Sequence, residues 1–351
     1  MISMRSKKIL VTGGAGFIGS NFIHYVYDGY PSYKIYNLDL LTYAGNPDNL
    51  KRIELAEKSK PVSSRRYFFI KGDICDSSLI GRIFKKYKFD VVINFAAESH
   101  VDRSITNDHH FFRTNLIGVH NLISLVRKHA IPRFIQISTD EIYGEVVKGV
   151  SKELYPLKPS NPYAASKAAA DLVVQSYMRT HKLPLLIVRG SNNFGPYQYP
   201  EKLIPLAITN LIEKKSIPIH GNGHQIRRWI HVEDFCRAID LVMHKGKNFS
   251  IYNISGLEVS NLDIIRNIAK TLDKNPDDFT YFINDRPGGD MRYAPDSSKI
   301  KKELGWELKY PVKKYLSQVV KWYVDNSSWW KKVKKKKEFK MYYEKQYRSE
   351  Y

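Results

Sequence analysis

The chain has 351 residues, 43% of them hydrophobic, which is enough for one large α/β unit or two domains sharing a cleft. Its longest apolar runs, such as Val91-Val92-Ile93, are strand-length and far short of the roughly 20 residues of a membrane span, and its two cysteines, Cys75 and Cys236, make neither a disulfide framework nor a zinc set. The net charge of +21 is partly local: residues 331–351 carry nine Lys/Arg against three Glu, or +6. The rest is spread along the chain, which suits an anionic small substrate and solubility, and no zinc finger, ribonucleoprotein motif or Gly-Lys phosphate loop accompanies it.

Arg5, Lys7 and Lys8 precede an apolar run, as in a secretion signal. That run contains Thr12-Gly13-Gly14 and no small-residue cleavage site, so it reads as the first strand of a cytoplasmic enzyme. Lys8 to Thr12 is a predicted strand and Phe17 to Asp28 a helix. Strands follow at Lys34–Asp39, Tyr67–Lys71, Val91–Phe95, Phe134–Ser138 and Leu185–Val188, with helices near Leu79–Tyr87, Phe111–His129 and Tyr163–His181. Such alternation predicts an α/β fold, a Rossmann-type doubly wound parallel sheet. After Arg189 the elements shorten and Gly195-Pro196, Pro200, Pro205 and Pro218 punctuate them. A helix at Val232–His244, a strand at Ile251–Ile254 and a helix at Asn261–Leu272 predict a smaller C-terminal α/β region over the sheet's carboxyl edge. The expected division is 1–189 for a cofactor domain that the chain re-crosses, 190–328 for a substrate region, and 329–351 for a solvated, disordered basic tail.

Gly14-Ala15-Gly16-Phe17-Ile18-Gly19 is a G-x-G-x-x-G after a strand and before a helix, and Gly13 extends it. The glycines make the tight turn and let backbone amides approach a pyrophosphate at the helix N-terminus. Asp39 lies 20 residues beyond Gly19, at the end of the second strand. A carboxylate there accepts from ribose hydroxyls and repels a 2′-phosphate, favouring NAD over NADP. Asp73-Ile74, after the third strand, could border the adenine or be a plain turn.

Tyr163 and Lys167 are spaced i, i+4 and share one helix face. A neighbouring ammonium favours the phenolate, which makes tyrosine a usable base. Ser138-Thr139-Asp140-Glu141 follows a buried-looking strand, at the edge where open α/β sheets bind ligands. Alcohol oxidation needs no extra carboxylates. An adjacent pair in front of the Tyr-Lys pair fits a second proton-transfer stage.

Further motifs are Leu41-Thr42-Tyr43-Ala44-Gly45-Asn46, Ala96-Ala97-Glu98-Ser99-His100-Val101-Asp102-Arg103-Ser104, and Ser191-Asn192-Asn193-Phe194-Gly195-Pro196-Tyr197 leading to Pro200-Glu201-Lys202-Leu203-Ile204-Pro205. With these the chain, over roughly residues 7–326, resembles the extended short-chain dehydrogenase/reductase family and, within it, the dTDP-glucose 4,6-dehydratase family. The resemblance implies a tightly bound NAD regenerated each turnover. It implies that Tyr163, assisted by Thr139, takes the C4 hydroxyl proton, that Glu141 removes the C5 proton, and that Asp140 protonates the C6 hydroxyl. For NAD it implies Gly13, Gly16, Phe17, Ile18, Gly19, Asp39, Leu40, Thr42, Asp73, Ile74, Phe95, Ala96, Ala97, Ser99, Thr114, Tyr163, Lys167 and Asn193. For the substrate it implies Ser99, Thr139, Asn192, Lys202, Leu203, Pro218, Ile219, His220, Arg227, Asn261, Asp285, Arg286, Gly289 and Tyr293. It also implies a homodimer through the helices near Phe111–His129 and Tyr163–His181.

Three residues depart from the bacterial pattern. Gly190 stands for a usual Cys, Arg228 for an Asp, and Gly289 for the His of Arg-Pro-Gly-His-Asp. The last two fall in the substrate region and bear on the dTDP assignment. Extra residues around Ile53–Ser64 are expected as a surface loop. His109-His110 lacks a third ligand at metal-site spacing and reads as helix surface, with no metal expected. Trp329-Trp330 and Tyr342-Tyr343 beside lysines could dock on nucleic acid or membrane, but a poorly structured terminus is the simpler reading, and no nucleic-acid partner is expected. The alternatives are a UDP-sugar dehydratase, an epimerase, a UDP-glucuronate decarboxylase and, from another class, a non-catalytic NAD-binding sensor. The intact Tyr-Lys and acidic pairs argue against the sensor.

Overall fold

Short apolar runs build a seven-stranded sheet whose pairings are all parallel. The computed structural model describes residues 6–347; Arg5 of the basic start and residues 348–351 of the tail lie outside the described residues. The first six strands are β1 (Lys8–Thr12), β2 (Lys34–Asp39), β3 (Tyr67–Lys71), β4 (Val91–Asn94), β5 (Phe134–Thr139) and β6 (Leu185–Gly190). Helices α1 (Phe17–Gly29), α2 (Lys51–Lys58), α3 (Ser77–Tyr87), α4 (Val101–Thr106), α5 (His109–Phe112), α6 (Val119–Lys128) and α7 (Pro162–His181) connect them. Parallel strands are buried on both faces, which is why they read as near-continuous apolar runs. Ile9 and Val11 of β1 face one core with Phe22 and Ile239. Leu10 faces the other with Ile80, Leu122 and Val174. A π-helical stretch, Arg113–Gly118, joins α5 to α6, so the helix predicted near Phe111–His129 is composite. Such stretches are frequent at functional sites.

The remaining elements are β7 (Asn192–Phe194), α8 (Leu203–Ile212), β8 (Ile217–His220), β9 (Ile226–His231), α9 (Val232–Lys245), β10 (Ile251–Ile254), β11 (Leu257–Ser260), α10 (Asn261–Thr271), β12 (Thr280–Ile283), α11 (Ser298–Leu304), α12 (Val312–Asp325), α13 (Ser327–Lys334) and α14 (Lys337–Tyr347). β10 returns to the main sheet beside β6, giving the order β10-β6-β5-β4-β1-β2-β3. The smaller sheets β11-β9-β7 and β12-β8 sit with their helices as a third core. Arg189, where the sequence changes character, is 1% exposed and paired with Asp171 of α7 at 2.8 Å. No helix among the described residues is long and apolar enough to cross a membrane.

Two expectations fail. The residues around Ile53–Ser64 are not a plain loop: α2 covers the first half of them and is pinned by Glu57. This buried carboxylate accepts from the Tyr27 hydroxyl at 2.6 Å and the Arg66 amide at 2.6 Å. The described part of the basic tail, up to Tyr347, is not disordered either. α13 buries Trp330 and Val333, and α14 buries Phe339 and Tyr347. Their spacing makes one apolar stripe under the lysines, and burying a side chain such as Phe339 contributes about 1.5–3 kcal/mol. The Trp330 indole donates to the Tyr323 carbonyl at 2.8 Å, and that of Trp329 to Asn49 at 2.9 Å. A charge count sees the lysines and misses this stripe.

Candidate active site

The strand order reverses between β1 and β4, and a ligand crevice is expected outside their carboxyl ends. The glycine turn after β1 opens it. Gly13 has φ +68°, and a Cβ there would lie 2.6 Å from the Ala96 amide nitrogen. A Cβ on Gly19 would meet the Gly13 carbonyl at 2.4 Å, so α1 could not approach the turn. A Cβ on Gly16 would meet only that carbonyl, at 3.3 Å, and the turn stays open toward the cleft. Asp39 orders the turn's far wall, accepting from the Ala15 amide at 2.9 Å and the Leu41 amide at 2.7 Å. Burial nevertheless holds its carboxyl above the usual range. A cleft of about 300 Å³ runs from here along the strand ends to β6, and every residue assigned to the cofactor from sequence borders it. Half-buried Asn193 presents a buried Oδ1 with no partner among the described residues. This glycine cradle, carboxylate and open amide fit a dinucleotide.

The residues assigned to the reaction from sequence line the same cleft. Thr139 ends β5 and caps a short turn over Asp140–Tyr143, its hydroxyl accepting from the Glu141 amide at 3.3 Å. The turn aims two adjacent carboxyls differently. Asp140 is 2% exposed, and its Oδ2 has no partner among the described residues. Burial, then the neighbouring Glu141, pushes its pKa up to about 8. Glu141 is less buried and is raised by burial against the pull of Arg227, Lys202 and Arg286. Tyr163 follows the Asn161 cap of α7, whose side chain accepts from the Ala164 amide at 2.9 Å. Burial and the Glu141 charge raise its phenol, and a hydrogen bond with Thr139 opposes them. Lys167 shares the cleft, but its ammonium donates to the Ile137 carbonyl at 2.6 Å, and burial lowers it to about 8. The i, i+4 spacing therefore gives a common face, and the lysine is held through the β5 backbone.

A second cavity, about 160 Å³, adjoins the first through Glu141, Asn192 and Lys202. It brings together Leu203, Pro218, Ile219, His220, Arg227, Asn261, Asp285, Arg286, Gly289 and Tyr293, while Ser99 and Thr139 border the first cleft. Lys202 donates to the Ser99 carbonyl at 2.9 Å. Arg227 lies over the Tyr293 ring at 4.3 Å and donates to the Asp290 carbonyl at 2.8 Å, so its fork is partly committed to backbone. Arg228 donates to Glu258 at 3.0 Å and the Pro295 carbonyl at 2.8 Å. It does not line the cavity, so that departure leaves the cavity wall unchanged. A Cβ on Gly190 would lie 2.7 Å from the Phe235 ring, which excludes a cysteine in this packing. Gly289 does line the cavity.

Several residues given no role from sequence support the cavity-lining Glu98 and Glu201 from behind. Asn115, in the π-helical stretch, exchanges hydrogen bonds with the Glu98 backbone at 2.9 and 3.0 Å and donates to Ser166 of α7 at 2.9 Å. Arg103 pairs with buried Glu201 at 2.9 Å. The available signal was charge inside two otherwise bland motifs, Ala96–Ser104 and Pro200–Pro205.

The arrangement has known counterparts. A sequence profile described as GDP-mannose 4,6 dehydratase matches residues 10–319. The chain is 42% identical to the dTDP-glucose 4,6-dehydratase of Streptomyces niveus, across 93% of this chain and 96% of that one. The same figures hold for the Escherichia coli dTDP-glucose 4,6-dehydratase. The chain belongs to the dTDP-glucose 4,6-dehydratase family. Within that family, the solved Streptomyces venezuelae enzyme with NAD bound superposes with a TM-score of 0.88 at 40% identity, covering 93% of this chain and 99% of that one. The Bacillus anthracis enzyme in complex with NAD gives 0.85 at 43%, with the same coverage. The UDP-glucose 4-epimerase of Thermotoga maritima shares the fold at 0.82 and 27% identity, covering 91% of this chain and 99% of that one.

Proposed function

We propose that this chain is an NAD-dependent hydro-lyase that converts dTDP-glucose to dTDP-4-keto-6-deoxyglucose. The observation that carries the reading is the carboxyl pair after β5. Asp140 is buried, unpartnered at Oδ2 and held neutral near pH 7, beside a Glu141 whose environment differs. Burial keeps Asp140 protonated, while Arg227, Lys202 and Arg286 draw Glu141 towards its carboxylate, which suits an acid beside a base.

NAD, when bound along the glycine cradle, supplies the acceptor that takes a hydride from C4 and returns it at C6. The chain's residues handle the protons. Tyr163, with Thr139 bonded to it, accepts the proton of the C4 hydroxyl. A C4 carbonyl acidifies the C5 hydrogen, which Glu141 removes. Asp140 donates its proton to the C6 hydroxyl, which leaves as water. A proton returned to C5 completes the product, with no external reductant. Asp140, Thr139, Tyr163 and Lys167 are all 8% exposed or less, so these transfers proceed away from bulk water, where oriented groups act most strongly.

Substitution of each carboxyl tests the roles in deuterated water. With Glu141→Gln, recovered dTDP-glucose carries no deuterium at C5. With Asp140→Asn it exchanges at C5 but keeps its C6 oxygen. Identical behaviour of the two variants would contradict the division of labour.

The active form is a homodimer in this reading. Phe112 and Ile117, from α5 and the π-helical stretch, and Leu172 of α7 are 36–57% exposed. An apolar patch on adjacent helices is a natural contact. Ile117→Glu with Leu172→Glu should sediment as a monomer; an unchanged sedimentation coefficient would refute it.

A further inference from the structure

α14 lies beyond the family match at residues 10–319, and it packs on the outer wall of the substrate-side cavity. Asp102, 4% exposed, is the centre of the contact. Arg286 approaches it twice, with Nε 2.6 Å from Oδ1 and Nη2 donating to Oδ2 at 3.2 Å. The Tyr342 hydroxyl donates to the same Oδ2 at 3.2 Å. The Tyr342 ring also stands edge-on to buried His100 at 5.1 Å, and the Arg103 guanidinium lies between the rings of Tyr43 and Tyr342 at 3.9 and 4.1 Å. Tyr347, 5% exposed, stands 6.4 Å from His220. Phe339 anchors the helix beside Tyr199, a residue of the cofactor-side cleft.

His100, His220 and Arg286 line the cavity, whereas Tyr342 and Tyr347 stand behind them. An arginine free to rotate carries rotamer entropy that binding must offset. A buried carboxylate needs its remaining lone pairs satisfied to hold such an arginine in one place. Tyr342 supplies a second hydrogen bond at Oδ2, while Oδ1 faces the Arg286 Nε as an ion pair, and the tyrosine ring closes the outer side.

We propose that Tyr342 and Tyr347 of α14 are positioning residues for substrate binding, holding the Asp102–Arg286 pair and the His100 and His220 wall ready for the anionic nucleotide end of the substrate. This rests on the nucleotide-sugar reading above. The tyrosines touch no reacting atom, so their loss weakens binding and leaves chemistry in place.

The test uses the full chain, wild type against Tyr342→Ala/Tyr347→Ala and Tyr342→Phe. It reads kcat and KM for dTDP-glucose, Kd for dTDP by calorimetry, and bound NAD with melting temperature as fold controls. The double variant should raise KM and Kd by about tenfold, a loss of about 1.4 kcal/mol, with kcat within about twofold of wild type. Tyr342→Phe keeps the ring and loses one hydrogen bond, so both constants should rise by a few fold. Unchanged KM and Kd in a folded, NAD-loaded double variant overturn the proposal, as does a fall in kcat alone. If the double variant does not fold, Tyr342→Phe decides by the same criteria. Wild type that binds dTDP but turns over no dTDP-glucose defeats the proposed reaction, while the Kd ratios still judge α14. Wild type that binds no dTDP defeats both.

Discussion

Replacing Asp140 by Asn should move activity and stability in opposite directions. In the folded protein, burial and then the Glu141 charge raise the Asp140 pKa from 3.8 to about 8. A raised carboxyl contributes stability that is complete below the unfolded pKa and lost as pH rises through the folded one. Across that window, each pH unit costs the wild type ~1.4 kcal/mol relative to a side chain that cannot ionise. The stability advantage of Asp140→Asn should therefore widen by about 4 kcal/mol from pH 5 to pH 8, then level off. Urea unfolding at fixed NAD, at several pH values, measures the gap. Turnover of dTDP-glucose should fall by about 10²–10⁴-fold, the usual worth of a general acid. In wild type the acid-dependent step should slow above about pH 8, as Asp140 loses its proton. A stability gap that does not change with pH would show that burial does not hold this carboxyl neutral, and the assignment of Asp140 as the acid would fall with it.

Tyr163→Phe removes the base for the C4 hydroxyl while preserving the ring. Turnover should drop by about 10²–10⁴-fold with melting temperature and NAD content unchanged; lost NAD would point to a binding role instead. Gly19→Ala places a methyl 2.4 Å from the Gly13 carbonyl. It should release NAD and lower stability by about 1–3 kcal/mol through overpacking, and wild-type NAD content would contradict the reading of that turn.

Much of this was legible from residues alone, because parallel strands and the dinucleotide turn obey strong local rules. The bounds of β2 and β3 follow from apolar runs ended by Asp39 and by Lys71-Gly72. The Tyr-Lys pair and the acidic pair were visible as spacing. Their electrostatics were not, because the fold sets them: Lys167 turns to the Ile137 carbonyl, and burial, then the Glu141 charge, raises Asp140. The smaller strands β7, β8, β9, β11 and β12 escaped because each has three to six residues and pairs with distant segments. α13 and α14 escaped because seven lysines between Lys331 and Lys340 hide an apolar stripe. Arg228 resembled a substrate-site change only while its direction was unknown; Glu258 shows where it points.

The central claim is that a hydride leaves C4 of the sugar and returns to C6 within one active site. dTDP-glucose carrying deuterium at C4 tests it, with UDP-glucose assayed alongside. The account predicts turnover of the dTDP sugar to a 4-keto-6-deoxy product, with that deuterium at C6 and one solvent proton at C5. Recovery of a C4 epimer, loss of the label to solvent, or no turnover of the dTDP sugar would contradict it.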